Sequence, residues 1–392
     1  KGGRITNLGK KGDVRVCKNN RRLLLSDHVA KGLLGMMKDE IEPAYNENIS
    51  DTQFGAIAGG GTDVPHHIVR SAIEYARVHN LCIFVLFLDL TQAFDKIIRE
   101  LVFGLPHHIP NDHSSRHQYL ISIGISHESS NFVLDFLAQH GSIFQQWGID
   151  LKIERVVNSV HSNNWFRYGD LKSCVVGRTG GRQGCKLGSI IFNAVYDIAL
   201  KMVVKRLKDA GVLTAFASSE ASPWWAQCEA DAKVSHELAD VTFVDDEALI
   251  IFAKSPAVLD KHVDIVLAIY VEVFAKFMLN INWLPGKSEA MLKYRGHGTR
   301  AAHLARIVEG ALCIKLPTSA TAAFLHVVTR YKHLGSVVSM DGNDCHDAML
   351  RASSAMSAYC PLASKIFGSP KVGLWLKLLV MHALVLSRLL YI

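Results

Sequence analysis

Val241-Thr242-Phe243-Val244-Asp245-Asp246-Glu247-Ala248-Leu249-Ile250-Ile251-Phe252 sets two short runs rich in β-branched and aromatic residues around two adjacent aspartates. Runs of this length suit strands, and an acidic pair between them suits a tight hairpin turn. Apolar flanks desolvate the pair, and like charges so close are costly unless a cation sits on them. Two readings fit the stretch taken alone: a divalent-metal site or an exposed Asp-Asp turn.

On the C-terminal side of the hairpin, Ser255-Pro256 caps an expected helix through Phe277. Leu279–Ala290 then reads as strand, loop and strand, the loop carrying Lys287. The pattern weakens over 295–325, and Tyr331–Val338 reads as a short hairpin. Residues 344–391 read as two or more helices broken at Gly368-Ser369-Pro370. Val372–Ile392 is very apolar but interrupted by Lys377, His382 and Arg388, which points to a buried helix rather than a membrane span.

On the N-terminal side, residues 212–238 read as an inserted surface loop. Before it, Gly180-Gly181-Arg182-Gln183-Gly184-Cys185-Lys186-Leu187-Gly188-Ser189 opens a long helix whose apolar stripe is core and which Gly211 closes. Arg182 and Gln183 stand at that helix start, where backbone N–H groups favour anions. Leu81–Leu88 reads as a fully buried strand delivering Asp89 at its end. Thr91 is placed to cap a helix through Gln92–Val102, ending at Gly104-Leu105-Pro106. Residues 1–20 carry little pattern, and Val29–Met37 has a helical apolar face with Leu33, Leu34, Met36 and Met37. The Gly-rich loop Gln53–Asp63 opens a helix with Pro65 near its first turn and Ile68, Ala72, Ile73 and Ala76 on one face. It reads equally as a phosphate loop or a flexible one. His107, His108, His113 and His117 lack metal-site spacing and read as a solvated loop. A helix is expected at Phe132–Gln139, with strand-like runs near Val156–Val160 and Cys174–Val176.

Composition bounds the classes. The 392 residues are 49% hydrophobic and 20% charged, which is globular and enough for two or three domains. The net charge of +7 fits a polyanionic partner only weakly. Eight scattered cysteines without a Cys-x-x-Cys pair favour a reducing compartment with free thiols, and argue against a zinc ribbon or disulfide framework. No secretory signal or membrane-crossing run is visible. The chain opens on Lys1 and closes on Leu389-Leu390-Tyr391-Ile392, which reads as a fragment of a longer product.

Local patterns in this order resemble the reverse transcriptases of non-LTR (LINE-type) retrotransposons. Leu88-Asp89-Leu90-Thr91-Gln92-Ala93-Phe94-Asp95 is similar to the first palm motif. Gly181-Arg182-Gln183-Gly184-Cys185-Lys186-Leu187 is similar to the family's Arg-Gln-Gly-Cys-Pro-Leu motif. Phe243-Val244-Asp245-Asp246 resembles the aromatic-x-Asp-Asp hairpin. Asn280–Glu289 and Tyr331–Val337 resemble the lysine motif and the primer grip. The likeness covers roughly residues 20–391. Lys186 departs from the family's Pro, Gly188 from its common Ser and Val244 from its commoner Ala, but no metal ligand is lost.

The resemblance implies an α+β right-hand polymerase: an antiparallel palm sheet backed by helices, plus a helical thumb. Fingers would take residues 1–80, the palm 81–340 with insertions at about 105–178 and 212–238, and the thumb 341–392. It implies RNA-directed DNA polymerase activity, extending a DNA primer on an RNA template with dNTPs, and with the free cysteines an intracellular setting, nucleus or cytoplasm. Asp89, Asp245 and Asp246 would ligate two Mg²⁺, or Mn²⁺ in their place, about 3.5–4 Å apart. Phe94 would stack under the sugar and exclude a 2′-hydroxyl, or else serve as a core Phe. Arg182 and Gln183 would contact the incoming nucleotide. Arg21 or Arg22 would meet its triphosphate. Lys287 would donate a proton to pyrophosphate, or stand as a solvated surface lysine. Asp95 would be structural. Three other readings compete: a catalytically silent retroelement remnant that at most binds nucleic acid, a group II intron maturase, and a two-metal nuclease. The nuclease reading leaves the Arg-Gln-Gly motif and Phe94 without a role, and no maturase-specific extension is visible. No endonuclease or RNase H region is visible either, and oligomeric state is open.

Overall fold

The computed structural model describes residues 2–9, 13, 15, 20–25, 28–162, 164–168, 173–182, 184–213, 215–217, 235–237 and 239–390. The chain begins with strands β1 (Gly2–Gly9) and β2 (Asn20–Leu25), helices α1 (His28–Asn48) and α2 (Asp63–Val78), and strand β3 (Cys82–Leu88). Six helices follow: α3 (Ala93–Lys96), α4 (Arg99–Phe103), α5 (His113–Ser122), α6 (His127–His140), α7 (Ile143–Gln146) and α8 (Leu151–His161). Then come β4 (Asn164–Tyr168), β5 (Val175–Gly177), helix α9 (Gly188–Asp209), β6 (Ala215–Ala217), β7 (Ser235–Glu237), β8 (Asp240–Phe243) and β9 (Asp246–Ala253). Helix α10 (Pro256–Lys276), β10 (Glu289–Lys293), helix α11 (Thr299–Ala305), β11 (Ile307–Val308), β12 (Ala311–Lys315) and β13 (Phe324–His326) continue the chain. It ends in β14 (Arg330–His333), β15 (Ser336–Ser339) and helices α12 (Cys345–Leu362), α13 (Leu374–Val380) and α14 (Ser387–Leu390), with π-helical turns before and after α13. The molecule is a mixed α+β protein whose strand pairs, among the described residues, are antiparallel apart from β1 with β4.

Two compact units divide the chain. The first comprises Lys1–Ala58, Asp89–Ala210 and Val266–Asn282. The second comprises Gly59–Leu88, Gly211–Ile265 and Trp283–Ile392.

The second unit is built on β3. All seven of its side chains are buried, so the strand needs apolar cover on both faces and ladder partners on both edges. Strand β9 pairs one edge from Cys82↔Ala253 to Leu88↔Glu247, and β10 the other from Ile83↔Lys293 to Phe87↔Glu289. Strand β8 completes the order β10-β3-β9-β8. Helix α2 covers this sheet with Val69, Ala72, Ile73 and Ala76, and Tyr75 meets Phe252 edge to face at 5.9 Å. The stripe is the expected one shifted by a residue, since Val69 is buried where Ile68 is only half-buried. The β14–β15 hairpin turns through Leu334 and Gly335, both at positive φ, and lays Tyr331 flat on Phe87 at 4.2 Å. Asp347 of α12 holds the hairpin by accepting from Ser336 Oγ at 2.7 Å and from the Val337 N–H at 2.8 Å.

In the first unit a polar knot joins α1 to α9. Tyr45 Oη donates to the Gly55 carbonyl at 2.9 Å, and Asn193 Nδ2 donates to Tyr45 Oη at 2.7 Å. Burial pushes the Tyr45 phenol up to about 12, so the hydroxyl keeps its proton to donate. The four-stranded sheet of this unit runs β2-β1-β4-β5.

Several expectations are corrected. Residues 2–9, which lacked pattern, form β1 because pairing with β2 and β4 supplies what local propensity does not. Helix α1 continues through Pro43 to Asn48, burying Leu34, Ile41 and Tyr45 while Leu33 and Met36 are exposed. Val156–Val160 is helical, not extended: Glu154, Val157 and His161 bury one face of α8, and the Asp150 side chain caps its start. The helix expected over Gln92–Val102 breaks into α3 and α4. Thr91 does not cap it, and Gln92 takes a left-handed φ of 55°. Buried Ile97 and Ile98 adopt extended ψ, and the Ile97 carbonyl accepts the Gly180 N–H at 3.1 Å. Of the loop histidines, His113 and His117 lie on α5. Leu279–Leu284 forms a single bridge, Leu90↔Ile281, in place of a strand. The patternless 295–325 holds α11 and a three-stranded sheet. Most of the expected surface loop at 212–238 lies outside the described residues.

The C-terminal segment is not a buried helix. Leu374 and Trp375 are 72% and 74% exposed, and Val385 is its one buried large apolar residue among those described. No helix among the described residues is long and apolar enough to cross a membrane.

Burial without hydrogen bonds sets a pH dependence in the second unit. Neither ring nitrogen of His66 or His333 has a partner. Burial, reinforced by Arg70, lowers His66 from 6.5 to about 4, and burial with His66 lowers His333 to about 3. Both are neutral in the native state while the unfolded chain takes up protons from about pH 6.5. The stability they contribute is therefore present above pH 6.5 and lost as pH falls toward 4 and 3. The urea midpoint should fall between pH 6.5 and 4, and His333→Phe should flatten that fall. A parent profile flat across the window contradicts the assignment.

Candidate active site

Within the second unit, the acidic hairpin closes at Phe243↔Asp246, so its two-residue turn is Val244-Asp245 and Asp246 already belongs to β9. Val244 sits at φ 59°, an uncommon place for a β-branched residue. Strain of this kind persists only where surroundings hold it, and it clusters at functional turns. Asp245 is half-buried and Asp246 exposed, while Glu247, next along β9, is fully buried. Lys287 is exposed, and Tyr331 Oη donates to its carbonyl at 2.7 Å, fixing the loop's backbone rather than the ammonium.

Within the first unit, Asp89 is half-buried and clasped. Asn282 Nδ2 donates to Asp89 Oδ2 at 2.9 Å, and the Asn282 N–H donates to the Asp89 carbonyl at 2.8 Å. The Thr91 N–H donates to the Asn280 carbonyl at 2.8 Å. Asn282 thus sets both backbone and carboxylate of Asp89 across 193 residues of chain. Sequence reading gave Asn282 no such role, and no local signal marks it.

The glycine-rich loop before α9 lies against α3. The Gly181 N–H donates to the Phe94 carbonyl at 2.5 Å. A Cβ at Gly180 would stand 2.5 Å from the Asp95 carbonyl oxygen, and Gly180 also sits at φ +81°. A Cβ at Gly188 would stand 2.9 Å from the Arg182 carbonyl oxygen. Bare backbone at both places permits the close approach. Phe94 is half-buried, its ring stacked on Phe192 at 4.8 Å, so it combines a packed face with exposed area. Asp95 is exposed.

Arg182 lies six residues before α9 rather than at its first turn. It is 6% exposed, its nearest acceptor is the Val160 carbonyl at 3.4 Å, and its Nε has no partner. Burial lowers the guanidinium pKa. Cys185 Sγ lies 3.5 Å from His161 Nε2, but this is no nucleophile and base. Burial raises the thiol and lowers the imidazole to about 4, opposite to what a thiolate site requires. Gln183 lies outside the described residues. Arg21 and Arg22 lie on β2, opposite Leu8 and Asn7, with only their backbone described.

Among the described residues no three His, Cys, Asp or Glu side chains are gathered closely enough to hold a metal ion. Mg²⁺ does not need such a cage. It is commonly bound by one or two carboxylates with water and substrate phosphates completing the shell. The oxygen donors of Asp89, Asp245 and Asp246 fit it in kind.

Gly180→Ala should cost about 1–3 kcal/mol, from the positive φ and the Asp95 carbonyl together. Chemical denaturation of the parent and variant measures this, and an unchanged midpoint contradicts it.

No protein-family model matches this chain, and no curated protein sequence does. Among solved structures it is similar to a telomerase from Candida albicans solved with the TWJ fragment of telomeric RNA, at 11% identity and a TM-score of 0.39. The match covers 87% of this chain and 46% of that one, so this chain spans less than half of that protein's length. A likeness of this size fixes neither the fold family nor the chemistry.

Proposed function

We propose that this chain is the polymerase region of a non-LTR retroelement reverse transcriptase, extending a DNA primer on an RNA template with dNTPs. The observation that carries the reading is the acidic hairpin itself: β8 and β9 close at Phe243↔Asp246 through a Val244-Asp245 turn, with Val244 held at φ 59°. The order of the sequence motifs supports it independently.

In this reading residues 1–80 serve as fingers, 81–340 as palm and 341–392 as thumb. Asp89, Asp245 and Asp246 would hold the divalent cations, Mg²⁺ or Mn²⁺. Bound there, the metal would lower the pKa of the primer 3′-hydroxyl and neutralise charge on the leaving pyrophosphate. Asn282 orients Asp89. Phe94, held on its packed face by Phe192, limits room at the sugar. Arg182 and Gln183 contact the incoming nucleotide, Arg21 or Arg22 its triphosphate, and Lys287 supplies a proton to pyrophosphate.

The test is extension of oligo(dT) on poly(rA) with Mg²⁺ and dTTP. The parent should extend and Asp245→Ala should fall to background. Asn282→Ala, which removes an outer-shell partner, should lose about 10- to 100-fold. A folded parent without extension, also when flanked by longer sequence, would leave the silent-remnant reading in its place.

A further inference from the structure

Away from these carboxylates the first unit contains a cavity of about 450 Å³ between α4, α5 and α8, a size that suits a small organic ligand. Its inner wall carries Glu100, which is 6% exposed. Glu100 Oε1 accepts a long hydrogen bond from Tyr119 Oη at 3.5 Å, and Oε2 is buried without a partner. The neighbouring Arg99 does not answer it, because its two terminal nitrogens donate to the carbonyls of His161 and Arg178. Burial raises the Glu100 carboxyl well above its ordinary range, and raises the Tyr119 phenol to about 12. Native proteins seldom leave a buried carboxyl oxygen unanswered, so a donor from outside the chain is called for. Phe103 gives the cavity an apolar wall, Asn158 a further polar group, and exposed Arg178 a guanidinium at the mouth beside His108.

A ligand matched to this lining has paired N–H donors at one end, a flat body, and an anion at the other. We propose that the cavity binds a guanine nucleotide, its N1–H and 2-amino group on the Glu100 carboxylate and its phosphate at Arg178. Guanine among the common bases sets two adjacent N–H donors on one edge; the Glu100 carboxyl accepts both once it has given up its proton to solvent, a change the two new hydrogen bonds favour. A guanidinium suits the phosphate. The inference does not depend on the polymerase reading: a monophosphate is not a polymerase substrate, and binding should survive Asp245→Ala and the absence of metal.

Calorimetric titration of the whole chain with GMP, IMP and AMP decides it. GMP should saturate, IMP, which lacks the 2-amino donor, should bind about tenfold more weakly, and AMP should not compete. Glu100→Gln, checked for an unchanged melting profile, should lose GMP binding. If that variant does not fold, Arg178→Ala should weaken GMP while leaving guanosine unaffected. No saturation by 1 mM GMP at about pH 7, or equal affinity for the three nucleotides, would overturn the proposal and leave a water-filled structural cavity.

Discussion

A strand apolar on every residue must be covered on both faces, and its backbone must be paired on both edges before it can leave water. From Cys82 to Leu88 this chain meets that demand with β9 and β10 as ladder partners and α2 as cover. Each large side chain so buried contributes about 1.5–3 kcal/mol, and each unpaired backbone group would return much of it. The alternatives are therefore few. Because β3 is apolar at every position, its own polarity cannot choose a register; the acidic ends of its partners can. Asp246 and Glu289 each mark where a partner strand begins. Placement of the carboxylates is thus a by-product of packing.

Polar groups inside both units show where packing is in tension with electrostatics. In the first unit, Tyr45 and Asn193 satisfy each other and the Gly55 carbonyl, leaving only Asn193 Oδ1 without a bond. Arg182 and Glu100 are buried with donors or acceptors left over. In the second unit, His66 and His333 are held neutral with four unbonded ring nitrogens between them. Such positions are costly for folding alone, which is why they draw attention as places where ligands or protons act.

The glycine-rich loop before α9 carries a constraint that its composition does not show. Gly180 and Gly188 stand where backbone carbonyls of Asp95 and Arg182 occupy the place of a Cβ. Close approach of two chain segments accounts for those two glycines.

By itself the sequence determined the elements whose signal is local. The all-apolar run made β3, the flanked aspartates made the β8–β9 hairpin, and long 3.6-residue periodicity made α9 and α10. Tertiary structure decided what depends on residues far apart along the chain. Asn282 holds Asp89, Ile97 and Ile98 leave helical geometry to meet Gly180, and β-branched Val156 and Val157 accept a helix because one face of α8 finds a core. Local propensities differ by tenths of a kcal/mol to about 1 kcal/mol per residue, whereas burying one large side chain outweighs several of them. The same imbalance explains the C-terminal misreading: apolar composition from Leu374 to Leu390 signals a demand for burial, but only packing partners can meet it, and here most of those side chains face water.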